Sequence, residues 1–387
     1  MTRHATVVVG AGIAGLTTAL ALAREGLRAT VLERAAAPRD AGGGIQLPPN
    51  AVRVLHQLGL GPALAEHAVR PEGVEVRRWS DGRLLGWTPL GGSAPARYGA
   101  PYYTLTRAVL HRLLRAAVAE ACGADTVRYD RGCVAVAESP SCVTLRLSDG
   151  SVVETGTAIG ADGLHSVVRR RFRDDEPRYS GYRVHRAVLP AHPVGMRSGP
   201  AKVVVWLGPD RHCVSYPVDR DRRTNVVAVV RAQAAPQPGG GPGELPGAFR
   251  GWNQDVLRLL GAAAEAGAET WGLYDRPPLP RWHSARVAVI GDAAHPMLPF
   301  LAQGAALAVE DALTIAGVLR GGAGLAAYET LRRQRVRRVA RAVDGARLTH
   351  HLADGARQRQ RDLRLAAEPA DARDWLYAHR IPAGAAR

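Results

Sequence analysis

The sequence predicts an α/β fold: a Rossmann-like domain, discontinuous along the chain, with a second β-sheet domain and C-terminal helices. Three segments carry that prediction. Each is a short apolar strand running into a glycine-marked turn: ATVVV (5–9) before GAGIAG, TAIG before Ala161-Asp162-Gly163, and RVAVI before Gly291-Asp292. Ligands of open α/β sheets sit beyond the carboxyl ends of the strands, so three such turns mark one sheet edge for binding.

In the first segment each glycine has a task. Gly10 permits the tight turn, Gly12 lets backbone approach a pyrophosphate, and Gly15 allows close packing of helix on strand. The stretch TTALALAREG is helical, and a second strand, ATVLER, ends at Glu33 and Arg34. Glu33 lies 18 positions after Gly15, where an acid can bind the ribose hydroxyls of an adenosine. MTRH followed by an apolar run ending in ALALA imitates a signal peptide. The glycine pairs inside that run and its continuation into Glu33 argue against this.

In residues 286–313 the strand stops at Asp292, passes a Pro- and Gly-rich turn and enters an apolar stretch of helical length. Asp292 either accepts hydrogen bonds from a ligand or caps the helix. In residues 157–172 the strand and Ala161-Asp162-Gly163 lead into a basic helix, and the hairpin CVTLRLSDGSVVE precedes them.

The remaining chain divides accordingly. Residues 1–70, 99–177 and 276–345 form the first domain, including the loop GGGIQLPPN and a helix at 107–121. Residues 71–98 and 178–275 form the second, as strands; YRVHRAVLP, AKVVVWLG, HCVSYPV and NVVAVVRA read as one wall of a cleft. Within it, 234–247 is too rich in Pro and Gly for regular structure, and is either a lid or an inert excursion. Residues 346–387 form a helical tail, Arg-rich and interaction-neutral.

Composition narrows the function. The 387 residues carry a net charge of +16, but Lys202 is the only lysine and the arginines are dispersed, with three phenylalanines for stacking. Such a pattern excludes a nucleic-acid groove. In RRQRVRRVARAV (332–343), Val336, Val339, Ala340 and Val343 make one stripe and leave the arginines to solvent. No stretch beyond the N-terminal one approaches membrane-spanning length. Four cysteines without metal spacing and thirteen unclustered histidines predict no metal and a reduced cytoplasmic setting.

The three motifs together resemble the class A FAD-dependent aromatic monooxygenases, the group that includes salicylate hydroxylase and 3-hydroxybenzoate 6-hydroxylase. GAGIAG resembles the family's pyrophosphate turn, GADGLHSVVR its Asp-Gly motif, and GDAAHPMLPFLAQGA its Gly-Asp motif. Further matches are GGGIQLPPNAVRVLHQLGL (42–60), LTRAVLHRLL (105–114) and WLGPDRHCVSYPV (206–218), so the likeness covers roughly 5–345. It implies non-covalent FAD held by Gly10, Gly12, Ile13, Ala14, Gly15, Glu33, Arg34, Gly44, Ile45, Gln46, Arg107, Cys133, Asp162, Asp292, Pro299, Gly304 and Ala305. Asp292 would hold the ribityl chain, Arg107 the phosphate region, and Pro299 would face the isoalloxazine. Gly304 and Ala305 would donate backbone N–H groups to the flavin's pyrimidine edge.

The resemblance implies NADH or NADPH as reductant and O2 as co-substrate, with a flavin C4a-hydroperoxide delivering hydroxyl to a small phenolic or heteroaromatic ring. The cofactor carries that chemistry, while the protein positions the ring and excludes water. It implies neither nucleic acid nor membrane as partner, and a monomer or homodimer. A base activates the ring. The candidates are His212 and Tyr216, four apart on one strand and therefore on one face, where relatives place a His and a Tyr against substrate. A surface-turn His212 and a core Tyr216 are the bland alternatives. Arg183 and Arg186 could bind a substrate carboxylate, but in a chain so rich in arginine a plain structural role is the reading preferred for each singly; His295 packs at its turn. Two departures from relatives, Ala187-Val188-Leu189 and Ser215, bear on the pocket floor. A flavoprotein oxidase or dehydrogenase is the alternative; a halogenase lacks its WxWxIP segment here.

Overall fold

The computed structural model describes residues 3–38, 42–190, 199–220, 222–236 and 245–381. The predicted strands Arg3–Val9, Val152–Gly160 and Val287–Val289 lie parallel in one sheet. Val9 pairs with Gly160 and Gly160 with Val289, so all three glycine-marked turns open at the same edge. Ala29–Leu32 continues the parallel part, and the hairpin strand Val143–Leu147 and its neighbour Cys133–Glu138 extend it antiparallel. Among the described residues this sheet has seven strands.

The helices Ile13–Arg24, Arg107–Cys122 and Gly304–Gly321 pack together over it. Their buried leucines, alanines and valines, with Val7, Val8, Ile159 and Val287 of the strands, form the larger core.

A second sheet of seven described strands runs in the order Glu269–Asp275, Arg178–Pro190, Arg223–Arg231, Arg211–Val218, Lys202–Gly208, Gly73–Arg78, Leu84–Pro89. Side chains alternate across it. Val184, Tyr216 and Val229 face the larger core. Leu189, Trp206, Cys213 and Ala228 face a separate cluster under the helix Gln254–Glu265. The ribbon Gly44–Leu47 with Tyr103–Thr106 joins the two sheets. Its Thr104 hydroxyl donates to the Pro217 carbonyl at 2.6 Å.

Several expectations need correction. The basic helix after Gly163 is only a short 3-10 turn, Val168–Arg171. Asp162 accepts the N–H groups of Val167 and Val168 at 2.8 and 3.3 Å, and Arg169 is fully buried, which bends the segment inward. Helices at Ser93–Tyr98 and Gln254–Glu265 interrupt stretches read as strands. The latter is capped by the Asn253 side chain, which accepts from Asp255 N–H. Arg332 and Arg335 do not face solvent; they are buried against Glu310 and Asp311. Of the Pro- and Gly-rich stretch 234–247, residues 237–244 lie outside the described residues.

The tail is tied down rather than neutral. Arg335 donates to the carbonyls of Trp375 and Leu376 at 2.9 and 2.8 Å, and Arg53 to those of Tyr98, Tyr377 and His379. Among the described residues no helix is long and apolar enough to cross a membrane, and no cluster of three or more ligand-type side chains is placed to hold a metal.

Candidate active site

A cleft of about 360 Å³ opens at the edge where the three strands end. Of the residues expected to hold the cofactor, Gly10, Gly12, Ile13, Ala14, Glu33, Arg34, Arg107, Cys133, Asp162, Asp292, Gly304 and Ala305 line it. The lining also includes His165 and Ala308, which motif reading passed over. His165 was within reach of it, since it stands two positions after Gly163 of the Asp-Gly motif.

The glycine turn is shaped by steric need. Gly10 has φ +102°, and a Cβ there would meet the Ala161 carbonyl oxygen at 2.6 Å. A Cβ on Gly15 would come within 1.8 Å of the Gly10 oxygen, so Gly15 lies packed beneath the turn and not in the cleft. Gly12 has open space where a Cβ would stand, and it begins the helix Ile13–Arg24 without a side-chain cap. The helix from Gly304 likewise starts without a side-chain cap or an acid in its first turn. Two uncapped helix N-termini at one cleft offer free N–H groups to anionic or electron-rich groups.

The acids differ in how far the protein already uses them. Glu33 accepts the N–H of Ala11 at 2.8 Å and of Ala35 at 2.9 Å, so it holds the glycine turn as well as lining the cleft. Asp162 also accepts from the Ser166 hydroxyl at 2.5 Å, and burial pushes its pKa up. Asp292 is the exception. Protein surrounds its side chain, yet its surface is open to the cleft, and among the described residues nothing hydrogen-bonds its carboxylate. Desolvation raises its pKa, and Arg107 and His295 pull it back. It does not cap the helix, whose N-cap is Gln303. Cys133 is pushed up to about 12 by burial and by Asp162, which leaves a neutral thiol at the wall.

This donor set fits FAD: uncapped N–H groups, a cation from Arg107, and an unclaimed carboxylate able to accept from ribityl hydroxyls.

Gly44, Ile45, Gln46 and Pro299 do not line the cleft volume. Pro299 stands exposed at the head of the turn Pro299–Leu301. Gly44 presses on the second sheet: its N–H donates to Asn225 Oδ1 at 2.5 Å, and a Cβ would lie 2.7 Å from Tyr216 Cε2. Gln46 Oε1 accepts from the Tyr102 hydroxyl at 2.7 Å. The ribbon therefore brings Gln46, Tyr216, Asn225 and Arg186 together; the Arg186 Cδ lies 3.4 Å from where Gly43 would carry a Cβ.

His212 and Tyr216 share one face of the strand Arg211–Val218, and both are buried. His212 is therefore no surface-turn residue. Its Nδ1 is 2.7 Å from His351 Nε2, and its ring packs 5.3 Å from Phe300, next to Pro299. Burial, with His351 and His350 beside it, holds His212 well below the ordinary imidazole value. Burial raises the Tyr216 hydroxyl above the usual phenol range, partly offset by Arg186 and by hydrogen bonds from Gln46 and Asn225.

Arg186 is a half-buried cation facing Tyr216, its guanidinium 5.2 Å from the centre of the Trp271 ring. Its Nε has no hydrogen-bond partner, and among the described residues no carboxylate lies within ion-pair distance. Arg183 points elsewhere and donates to the Ala234 carbonyl at 3.1 Å. The departures at Ala187 and Leu189 fall on the far face, against the second cluster, and so does Ser215 by alternation. Val188, between Ala187 and Leu189, lies on the Arg186 face and packs against the larger core, so it is the departure placed to bear on the pocket floor. His295 packs as expected, on Trp282 and against Asp311 at 2.6 Å.

Comparisons with known proteins agree. The FAD binding domain family model matches residues 3–346. The chain is 44% identical to the 3-amino-4-hydroxybenzoate 2-monooxygenase PtnB3 of Streptomyces platensis, covering 97% of this chain and 96% of the relative. It is 34% identical to 3-hydroxybenzoate 6-hydroxylase 1 of Aquipseudomonas alcaligenes, covering 96% and 95%. The solved structure of a salicylate hydroxylase substrate complex superposes with a TM-score of 0.80 at 25% identity, covering 99% and 97%. The chain belongs to the FAD-binding aromatic monooxygenases of class A, and it is an FAD-dependent aromatic-ring hydroxylase.

Proposed function

We propose that this enzyme hydroxylates a benzoate bearing a hydroxyl or amino group ortho or para to the site of attack, 3-amino-4-hydroxybenzoate being the first to test. The observation that carries this reading is Arg186, a half-buried cation whose enclosed Nε has no partner and which has no carboxylate within ion-pair distance among the described residues, on the sheet face that also presents Tyr216. A cation held partly out of water without a counter-charge is costly, and a substrate carboxylate would supply one. The similarity to the aminohydroxybenzoate monooxygenase supports the same class.

FAD, when bound, accepts electrons from NADH or NADPH and passes one oxygen atom of O2 to the ring. The residues lining the cleft hold it, with Asp292 on its hydroxyls and the N–H groups of Gly304 and Ala305 at its electron-rich edge. The cleft end of the second sheet holds the substrate. His212 accepts a proton from the ring's electron-donating substituent, and Tyr216 orients that substituent by a hydrogen bond. The division 1–70, 99–177 and 276–345 for cofactor, with 71–98 and 178–275 for substrate, belongs to this proposal.

The test is substrate-dependent NAD(P)H oxidation under labelled oxygen. One labelled atom in a hydroxylated aminohydroxybenzoate is the expected result. Oxidation of substrate without label would favour an oxidase or dehydrogenase, and no response to any carboxylated ring would remove Arg186 from its role.

A further inference from the structure

The end of the long helix Leu325–His350 brings a histidine pair, His350 and His351, against His212. His351 Nε2 lies 2.7 Å from His212 Nδ1, close enough for a strong hydrogen bond between two buried rings. Phe300 and Tyr182 pack on the pair and close it off from the rest of the core. On the outward side His351 meets Asp210, whose N–H donates to the His351 carbonyl at 3.3 Å and whose side chain is exposed. The charged groups around the pair are Asp210, Arg211, Arg231 and Arg347 at His351, and Arg361 and Arg373 at His350. The cluster is not placed to bind a metal.

We propose that His351 is the positioning residue of the reaction: it accepts the Nδ1 proton of His212, leaves His212 Nε2 free for substrate, and takes up the proton that His212 passes on. The proposal rests on the reading of His212 as the base. Two nitrogens sharing one hydrogen bond need one donor and one acceptor, so the tautomer of His351 dictates that of His212. As the substrate proton reaches Nε2, the proton on Nδ1 passes to His351 Nε2, and His212 stays neutral in its apolar setting. The proton then rests on His351, the ring of the two that Asp210 favours in its charged form.

The test uses the FAD-loaded enzyme with 15N-labelled histidine, and the variants H351L and H351Q. Ring 15N shifts of His212 at pH 7 should report the Nδ1–H form in the parent enzyme and a changed tautomer balance in H351L. With 3-amino-4-hydroxybenzoate, H351L should form product at least tenfold more slowly at pH 7, with flavin reduction unchanged and the shortfall appearing as hydrogen peroxide. H351Q, which can accept the same hydrogen bond, should keep the His212 tautomer but not the relay; it covers the case in which H351L does not fold. An Nε2–H form of His212 in the parent enzyme overturns the proposal, and so does an unchanged His212 tautomer balance in H351L. If His212→Ala itself leaves hydroxylation coupled, the underlying reading of the base fails, whereas a defect in H212A without one in H351L removes the relay alone.

Discussion

The Asp311 carboxylate accepts the backbone N–H of Gly291 at 2.9 Å, so the turn that presents Asp292 is held by a residue of the helix that follows it. The same carboxylate takes Arg332 Nε at 2.8 Å and His295 Nε2 at 2.6 Å, all buried or nearly so. Burial alone would raise its pKa, but His295 and Arg332 together hold it well below the usual carboxylate range. Two neighbouring acids thus have separate tasks: Asp311 braces the turn and Asp292 faces the cleft.

Replacing Asp292 with Ala should therefore leave the fold intact and weaken FAD. Hydrogen bonds to a charged group contribute about 1.5–3 kcal/mol, equivalent to a loss of roughly tenfold to over a hundredfold in affinity. Flavin fluorescence titration measures this, and unchanged affinity would remove Asp292 from the cofactor.

Asp311→Ala should behave differently. It leaves Arg332 buried with only Glu310, and breaking such a buried network costs about 3–5 kcal/mol. A large fall in the unfolding midpoint of the apoprotein is expected, before any effect on flavin is considered. A midpoint within experimental error of the parent would show that the turn stands without this brace.

His212→Ala and Tyr216→Phe should each lower product yield while NAD(P)H is still consumed, the difference appearing as hydrogen peroxide. Loss of a general base costs on the order of 100- to 10,000-fold in the assisted step. Oxygen uptake and product formation measured together decide the matter; full coupling in both variants would place the base elsewhere.

Arg186→Gln should raise KM for a carboxylated ring by roughly tenfold to a hundredfold, from the loss of a charge-assisted pair. With 2-aminophenol, which lacks the carboxylate, the parent and the variant should differ little. Equal losses on both compounds would make Arg186 a structural cation.

Much of the cofactor side was legible because it is written locally. A strand, a glycine turn and a helix are contiguous in sequence, and the three turns predicted at Gly10, Gly163 and Gly291 do meet at one edge. The braces were not legible. Arg169, Arg53, Arg332 and Arg335 carry no local signature in a chain this rich in arginine, and each acts on residues far away in sequence. Glu33 illustrates a middle case: its spacing was right, but its hold on Ala11 depends on a turn geometry that spacing does not encode. The helix expected after Gly163 failed because Asp162 takes the N–H groups of Val167 and Val168, and Arg169 turns inward among carbonyls and Asp175.

Acid should destabilise the protein well before its carboxylates titrate. Burial holds His212 well below the ordinary imidazole value, His350 at about 3, and His351 and His379 at about 4. Unfolded, each returns to about 6.5, so between the two values the unfolded chain binds more protons. Stability is full above about pH 6.5 and falls as pH drops toward 4, by up to about 1.4 kcal/mol per pH unit for each such histidine. Urea midpoints measured from pH 7.5 to 4.5 should decline steadily, and a flat series would mean that these rings are not buried in solution.

The cleft draws on chain positions from Val9 to Ala308. A growing polypeptide that has completed the second sheet already has the first glycine turn and the Asp-Gly loop, but neither Asp292 nor the helix that braces it. The binding edge is therefore completed only after the second sheet, and the arginine clasps on Trp375 and Tyr377 close later still. One ligand therefore ties together the part of the chain that precedes the second sheet and the part that follows it, and neither part alone carries the whole binding edge.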